Sequence, residues 1–575
     1  MKIISRWIQN NTALSLLIIL ISVHLLIIND YGFTWDFHFH FFGGGKLLGL
    51  SWQELEPRIL PYVEPDPRNA WSLPYGPLMS IPPVASYLLL YKYWQFLPQD
   101  SAYHLPIILW GIGGILALYG FLKEAINKRV ALFAAFFLAI MPRFFADMHN
   151  NMKDIPSAAI FAVNMWLLWR LVKHKRLSDL LLAVVGFAAA FNVKINSIFI
   201  PVIFAVWLIL IAMSAERRKF FAARFSSLIK GLLKQKDLRA AEQKKFAPIS
   251  ARKHIFVFAY FLLAPIAAFL LWWFFWPNPI AQLDHAYRTF AIGTNNIEVL
   301  LNGNWYCSGG NVPWYYPFWY LGITTPLPLL LFFLIGLISL IRHRRPIGIL
   351  LLLWFFLPLS RYLLPNIGVI DGIRHFEEVL FPLAALAAIG LDFMIRQISL
   401  IRLIRPMSLI LILFTVFSLL FTLYSYHPFQ ITYFNELVGG IKGAFGKYDL
   451  DYWGGSQKQA VIWVNENAPQ NSKVHIVMSA DVAGRYLRPD LLINLNKYNY
   501  DESDFVIFLN RQSFFYRFYY AYEYLLHHSP SFTVSVKNTP LVWVFDNRTD
   551  NKTSRQTPWW KGEDPCIINY WKATK

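Results

Sequence analysis

Several ionisable residues in this chain lie next to long apolar runs, where polar groups are rare and usually functional. Asp36 follows the apolar run at 12–28, in the stretch IINDYGFTWDFHFH. The stretch at 141–154, MPRFFADMHNNMKD, contains His149 and Asp154. Later stretches supply the candidate cations, which are Lys194, Arg361, Arg374 and His375. Acids early in the chain and cations later could together hold an anionic lipid head group against a carboxylate base.

Asp36 is the candidate for that base. Its aromatic neighbours Trp35, Phe37 and Phe39 would seat it at a membrane interface and limit its hydration. Poor hydration disfavours the charged form, so these neighbours alone predict a raised carboxylate pKa. The structural alternative is that Asp36 caps an interfacial helix.

The other candidates also have structural readings. His149 and Asp154 could mark the beginning of a helix, because a proline follows closely. Lys194 could extend along apolar surface to reach the membrane interface. Arg374 could form an ion pair with a nearby acid such as Asp371.

A metal site is suggested by His38 and His40, whose i, i+2 spacing would place both on one side of a strand. A zinc site needs three or four ligands, and no third ligand lies near them in the sequence. We therefore predict no cofactor and no metal ligands, with a divalent metal left as an open alternative.

Long apolar helices must position these residues. The chain has 575 residues, is 56% hydrophobic and 15% charged, and has a mean hydropathy of +0.39, which is typical of a multi-pass membrane protein. About eleven transmembrane helices are predicted, at 12–28, 105–122, 130–142, 156–171, 179–193, 197–213, 255–276, 321–341, 347–360, 376–394 and 407–425. The stretch 80–98 contains Pro82, Pro83 and Lys92, and is predicted to be an interfacial or re-entrant helix.

The basic residues predict the orientation of these helices. Eleven spans with the N-terminus inside place most basic loops on the cytoplasmic side, as the positive-inside rule expects. The loop 214–254 alone contains twelve lysines and arginines. Such a loop fits contact with anionic membrane lipids better than binding to nucleic acid, which we do not expect as a partner.

The composition changes after residue 425. Residues 426–575 lack an apolar span and alternate β-rich runs, such as KVHIVMSA and DFVIFLN, with a polar helix, SQKQAVIWVNENA. We therefore predict a transmembrane domain at 1–425 and an extracytoplasmic α/β domain at 426–575. The only cysteines, Cys307 and Cys566, would both lie outside the cytoplasm, where an oxidising compartment permits a bond between them.

The ordered set of these residues resembles the GT-C superfamily of membrane glycosyltransferases, near its bacterial protein O-mannosyltransferase-like and aminoarabinose-lipid A transferase-like branch. The resemblance covers about residues 1–460. Its elements are Trp35-Asp36 after the first span, the run from His149 through Asp154 to Pro156, Lys194 after the fifth span, Arg374-His375 before a proline-containing helix, and YFNELVGGIKGAFGKYDLDYWG at 433–454.

This resemblance implies the transfer of one sugar from a polyprenyl-phosphate donor at the outer membrane surface. It implies inverting single displacement, with Asp36 as the base, His149 and Asp154 beside it, and Lys194, Arg374, His375 and Arg361 around the donor phosphate. Phe37 stands where protein O-mannosyltransferases have a second acid, so lipid, glycan and protein acceptors all stay open. The expected location is a bacterial inner membrane. The alternative functions are those of a transporter or lipid flippase and of a catalytically inactive lipid-binding scaffold.

Overall fold

The structure is a computed structural model that describes residues 11–55, 75–213, 255–343, 346–400, 406–494, 500–518, 524–549 and 566. The predicted basic loop at 214–254 therefore lies outside the described residues.

Helices dominate the described part of the chain up to residue 425. In chain order they are α1 Thr12–Ile27, α2 Phe37–Leu47, α3 Trp52–Leu55, α4 Pro77–Ser86, α5 Gln99–Ala125, α6 Lys128–Ala139, α7 Pro142–Asn150, α8 Asp154–His174, α9 Leu177–Val193, α10 Ile195–Met213, α11 Ile255–Leu271, α12 Pro279–Tyr287, α13 Tyr316–Thr324, α14 Leu327–His343, α15 Pro346–Ser360, α16 Leu380–Leu400 and α17 Met407–Ser425. Three shorter helices follow, namely α18 Gly440–Ala444, α19 Gln457–Asn467 and α20 Ala480–Ala483.

The protein is an integral, multi-pass membrane protein. Within the described ranges, seven helical segments are long and apolar enough to cross a membrane, and the bent pair α6 and α7 could form an eighth span. Helices α9, α11 and α14 are apolar but shorter. Each of the eleven predicted windows overlaps one of these helices, whereas the stretch 80–98 forms the end of α4 and a π-helical turn, Tyr87–Tyr93. The exact number of spans stays a prediction, as does their orientation.

Close helix packing fixes the bundle around α16. Helix α14 packs along α16, and α16 also packs on α6. A Cβ atom on Gly336 would lie 2.0 Å from the Leu386 carbonyl oxygen, and one on Gly390 would lie 1.9 Å from the Phe332 carbonyl oxygen. Only glycine permits this backbone approach, as in many membrane helix pairs. The packing holds the segment that begins at Arg374 in place.

The strands of the described residues are β1 Glu298–Leu301, β2 Asn304–Cys307, β3 Lys473–Val477, β4 Leu492–Ile493, β5 Phe505–Leu509, β6 Phe532–Val536 and β7 Thr539–Asp546. The residues after α17 contain a five-stranded mixed sheet with the order β4-β3-β5-β7-β6. Strand β3 is parallel to β4 and β5, while β7 is antiparallel to β5 and β6. Helix α19 packs on this sheet, so the predicted α/β fold is confirmed. A separate antiparallel pair, β1 with β2, precedes it.

The residues around this sheet dock onto the loop that follows α1. The Trp35 amide donates to the Trp453 carbonyl oxygen over 2.9 Å, and the Phe33 amide donates to the Tyr486 hydroxyl over 2.7 Å. These bonds hold the segment containing Asp36 between the helical bundle and the C-terminal region.

The predicted orientation can be tested with reporter fusions. A reporter fused after Lys575 is expected outside the cytoplasm, and one inserted within 214–254 is expected inside, because the basic loops remain on the cytoplasmic side. Protease protection of each reporter in intact spheroplasts is the measurement. A cytoplasmic C-terminus would contradict the eleven-span topology.

Cys307 and Cys566 form a disulfide, so the predicted pairing is confirmed. The bond ties the end of β2 to the C-terminal end of the chain across a sequence separation of 259 residues. Peptide mapping of the native protein without reductant is expected to recover the two cysteines in one linked peptide, because the predicted topology places both in one oxidising compartment. Recovery of both as free thiols would contradict the pairing.

Candidate active site

Asp36 lies immediately before α2, and its carboxylate contacts two cations. It occupies the N-cap position, but its side chain makes no capping hydrogen bond. The carboxylate instead accepts from Lys153 Nζ over 2.5 Å and from Arg374 Nη1 over 3.1 Å. The helix-cap alternative is therefore not what the structure shows.

The prediction that the surroundings of Asp36 raise its pKa is wrong. Burial does raise the pKa, but the positive charges of Lys153 and Arg374 outweigh burial and hold it well below its usual range. The aromatic neighbours are visible in the sequence, whereas Lys153 is 117 positions away. Asp36 is consequently ionised in this arrangement.

A second ion pair lies beside the first. Asp154 is the first residue of α8, and Lys194 directly follows α9. Lys194 Nζ donates to the Asp154 carboxylate over 2.5 Å, and Asn151 Nδ2 donates to the same carboxylate over 3.0 Å. Lys194 therefore contacts an acid of the site and does not extend to the membrane interface.

Arg374 is the residue that joins several parts of the chain. Besides Asp36, its guanidinium contacts Asp371 over 3.1 Å and lies 4.6 Å from the centre of the Trp453 ring. The predicted pair with Asp371 is present, but it is only one of the contacts of Arg374. Trp453 precedes the sheet in the chain, so the C-terminal region reaches the site.

His375 and Arg361 lie next to this cluster without touching Asp36 in the described hydrogen bonds. Arg374 Nε donates to His375 Nε2 over 3.4 Å. Arg361 donates to the backbone carbonyl of His375 and to the Tyr362 hydroxyl over 2.7 Å. These contacts of Arg361 and His375 hold the segment that contains Arg374 in place.

The structure does not bring His149 to the cluster. Its ring stacks on Tyr31 at 3.9 Å between centroids, and its Nε2 lies 3.2 Å from His24 Nδ1. Helix α7 ends at Asn150, one residue after His149, and directs this side chain toward α1. The site role proposed for His149 in the sequence is therefore not supported by this geometry, whereas Asp154 lies in the site.

His38 and His40 are in a helix, so the predicted strand is wrong. Residues two apart on a helix face different directions. His38 pairs with Asp481 of the C-terminal region, while His40 packs edge-on against Tyr75 at 4.7 Å. Burial, reinforced by the nearby Lys153 charge, lowers the pKa of His40 to about 3, so its ring is neutral. In the ranges given above, no three His, Cys, Asp or Glu residues are grouped to hold a metal ion.

Sequence reasoning did not select Lys153, Trp453 or Arg511 for the site. Lys153 lies within the candidate loop next to Asp154, and this position was the only available signal. Trp453 falls within the 433–454 run that resembles GT-C proteins. No sequence signal connects Arg511 to the site, although it contacts Asp371 over 2.7 Å.

The arrangement can bind an anion. Lys153, Lys194 and Arg374 converge on Asp36 and Asp154, and the charges of both acids act on His40. An anionic ligand entering here would compete with carboxylates for cations that are already oriented.

Comparison with known proteins gives a matching family. The model of the family described as dolichyl-phosphate-mannose-protein mannosyltransferase matches residues 80–232. This segment includes Lys153, Asp154 and Lys194. The chain resembles GT-C membrane glycosyltransferases. No curated protein sequence matches the chain significantly.

Two solved structures are among those that are similar to this chain. The crystal structure of ArnT from Cupriavidus metallidurans bound to undecaprenyl phosphate is 11% identical, with 92% of this chain and 97% of that chain covered and a TM-score of 0.45. The archaeal oligosaccharyltransferase AglB from Archaeoglobus fulgidus, in complex with an inhibitory peptide and a dolichol-phosphate, is 14% identical. For it, 93% of this chain and 75% of that chain are covered, with a TM-score of 0.43.

Proposed function

We propose that this protein is a membrane glycosyltransferase that moves a single sugar from a polyprenyl-phosphate donor to an acceptor at the outer membrane surface. The observation that carries the proposal is the ionised Asp36 carboxylate held between Lys153 and Arg374. The neighbouring pair Lys194–Asp154 adds a third cation to the same site.

The reaction chemistry follows from these charges. The acceptor oxygen forms a bond to the anomeric carbon, the bond from that carbon to the phosphate oxygen breaks, and Asp36 takes the acceptor proton. The departing phosphate is already a stable anion, so it requires cations more than a protonating acid. Lys153, Lys194 and Arg374 are the proposed phosphate ligands, and the displacement inverts the anomeric configuration.

The ion pairs also provide a way to activate Asp36. While Lys153 and Arg374 contact Asp36, their charges hold its pKa well below the usual range, which makes it a weak base. A donor phosphate would draw Lys153 and Arg374 away from the carboxylate, and the Asp36 pKa would then rise toward the range suited to proton transfer. Donor binding would in this way precede acceptor deprotonation.

The identity of the acceptor is narrowed by the residue after Asp36. Phe37 packs at 4.0 Å between ring centroids on Phe33 and at 4.8 Å on Phe41. The position next to the base is therefore core and supplies no second acid. This favours a lipid or glycan acceptor, with a protein acceptor as the alternative.

A comparison of cells with and without the gene tests the function. We expect mass spectrometry of the glycolipids, glycans and glycoproteins of the cell envelope to find one component that lacks a hexose or pentose without the gene. The purified protein should consume the matching polyprenyl-phosphate sugar and release polyprenyl phosphate. Movement of the lipid-linked sugar across vesicles without its consumption would instead support the transporter or flippase.

A further inference from the structure

Arg511 links the C-terminal sheet to the candidate active site. It lies two residues after the end of β5 and is buried. Its guanidinium donates to Asp371 over 2.7 Å and to the Tyr452 carbonyl oxygen over 3.0 Å. The guanidinium also lies 3.8 Å from the centre of the Phe514 ring. These contacts fix the position of the Arg511 guanidinium, so the guanidinium can in turn fix the position of its partner.

That partner, Asp371, is shared by two arginines. Arg511 binds its Oδ1 atom, and Arg374 binds its Oδ2 atom over 3.1 Å. Asp371 has a φ of +56° and the following Gly372 has a φ of +67°. A left-handed conformation is unusual for a residue other than glycine, and it persists only where surrounding contacts maintain it. The Gly372 amide donates to the Tyr316 hydroxyl over 2.9 Å, which helps to maintain this turn.

The second arginine, Arg374, is the one that reaches Asp36. A carboxylate that is already paired with Arg511 neutralises less of the Arg374 charge than a carboxylate devoted to Arg374 alone. Arg374 therefore keeps positive charge on the side that faces Asp36, where an anionic ligand would bind. Trp453, 4.6 Å from the guanidinium, restricts its orientation from another side.

We propose that Arg511 is a positioning residue for the donor phosphate. Arg511 acts through Asp371, because their pairing orients Arg374 and leaves more of the Arg374 charge available to the phosphate. This inference rests on the function proposed above and deepens it. The C-terminal region then completes the donor site, because it supplies Arg511. The connection runs Arg511–Asp371–Arg374–Asp36 through side-chain contacts alone.

The test measures equilibrium binding of polyprenyl phosphate to the purified full-length protein in nanodiscs, together with KM and kcat for the donor. Arg511→Met is expected to weaken binding and raise KM about tenfold, with a much smaller effect on kcat. Arg511→Lys should recover part of the affinity, because it restores the charge without the two-pronged geometry. Arg517→Met is the matched control, since Arg517 contacts the same Phe514 ring but pairs with Glu298. It is expected to bind like the wild type.

A double-mutant cycle separates positioning from a general structural effect. In an Asp371→Asn background, Arg511→Met should weaken donor binding little further, because the connection is already broken. Additive losses, or wild-type affinity in Arg511→Met, would overturn the inference while leaving the proposed function intact. Should Arg511→Met fail to fold, wild-type affinity in Arg511→Lys would overturn it equally. A wild-type protein that binds no polyprenyl phosphate would overturn the proposed function itself.

Discussion

Asp36→Asn is expected to lower the rate of sugar transfer about 10²–10⁴-fold, which is the usual contribution of a general base. Asparagine keeps the shape of the side chain and an oxygen that can accept from Lys153, but it cannot take the acceptor proton. Binding of polyprenyl phosphate should be retained, because the substitution removes a negative charge that competes for Lys153 and Arg374. Single-turnover kinetics with saturating donor, together with a binding isotherm, measure the two effects.

The matched control for this substitution is Asp30→Asn. Asp30 lies in the same segment after α1, is more exposed, and pairs with His427 over 2.8 Å. Its amide variant should transfer sugar at close to the wild-type rate. Wild-type kinetics in Asp36→Asn would show that Asp36 is only an interfacial residue.

Arg374→Met should weaken polyprenyl phosphate binding about 10-fold to 100-fold, because it removes charge-assisted hydrogen bonds to the phosphate. Methionine keeps much of the apolar contact with Trp453, and Asp371 keeps Arg511 as a partner. These two features limit the loss of folding stability, which thermal unfolding in detergent would measure. The substitution also removes one of the positive charges that lower the pKa of Asp36, so the carboxylate becomes a stronger base. The rate of the catalytic step should therefore change less than the affinity for the donor.

Arg129→Met provides the corresponding control at the opposite end of the bundle. Arg129 pairs with Asp392, which retains a contact with Arg396 over 2.8 Å when Arg129 is removed. We expect donor affinity to stay at the wild-type level in this variant. Equal losses in Arg129→Met and Arg374→Met would show that the effect is one of general destabilisation.

Local hydropathy and β-propensity were enough to predict the helices and the sheet. Each apolar window corresponds to a helix because a membrane span must satisfy its backbone hydrogen bonds within itself. The β-rich runs beyond residue 425 correspond to strands such as Lys473–Val477 and Phe505–Leu509. The exception is the stretch after Asp36. Its alternating histidines and phenylalanines read as a strand, but packing buries both kinds of side chain around the helix Phe37–Leu47.

The candidate site was only partly predictable from the sequence, because here too the packing of side chains decided the outcome. Asp36, Asp154, Lys194 and Arg374 stand out in the sequence because ionisable groups beside apolar spans are costly and rarely incidental. His149 stands out in the same way, yet its ring packs on Tyr31. The type of a residue and its distance from a span do not reveal the direction in which the end of a helix points its side chain.

The sequence by itself determined that this is a multi-pass membrane protein with an α/β region after its last span, and it singled out the acids and cations beside those spans. Tertiary structure alone decided which charges meet. Lys153 and Arg374 reach Asp36 from 117 and 338 positions away, and Arg511 reaches Asp371 from 140 positions away. Because electrostatic interaction falls off with distance in space, the sign of the Asp36 pKa shift depends on these contacts, and its sequence neighbours predict the opposite sign.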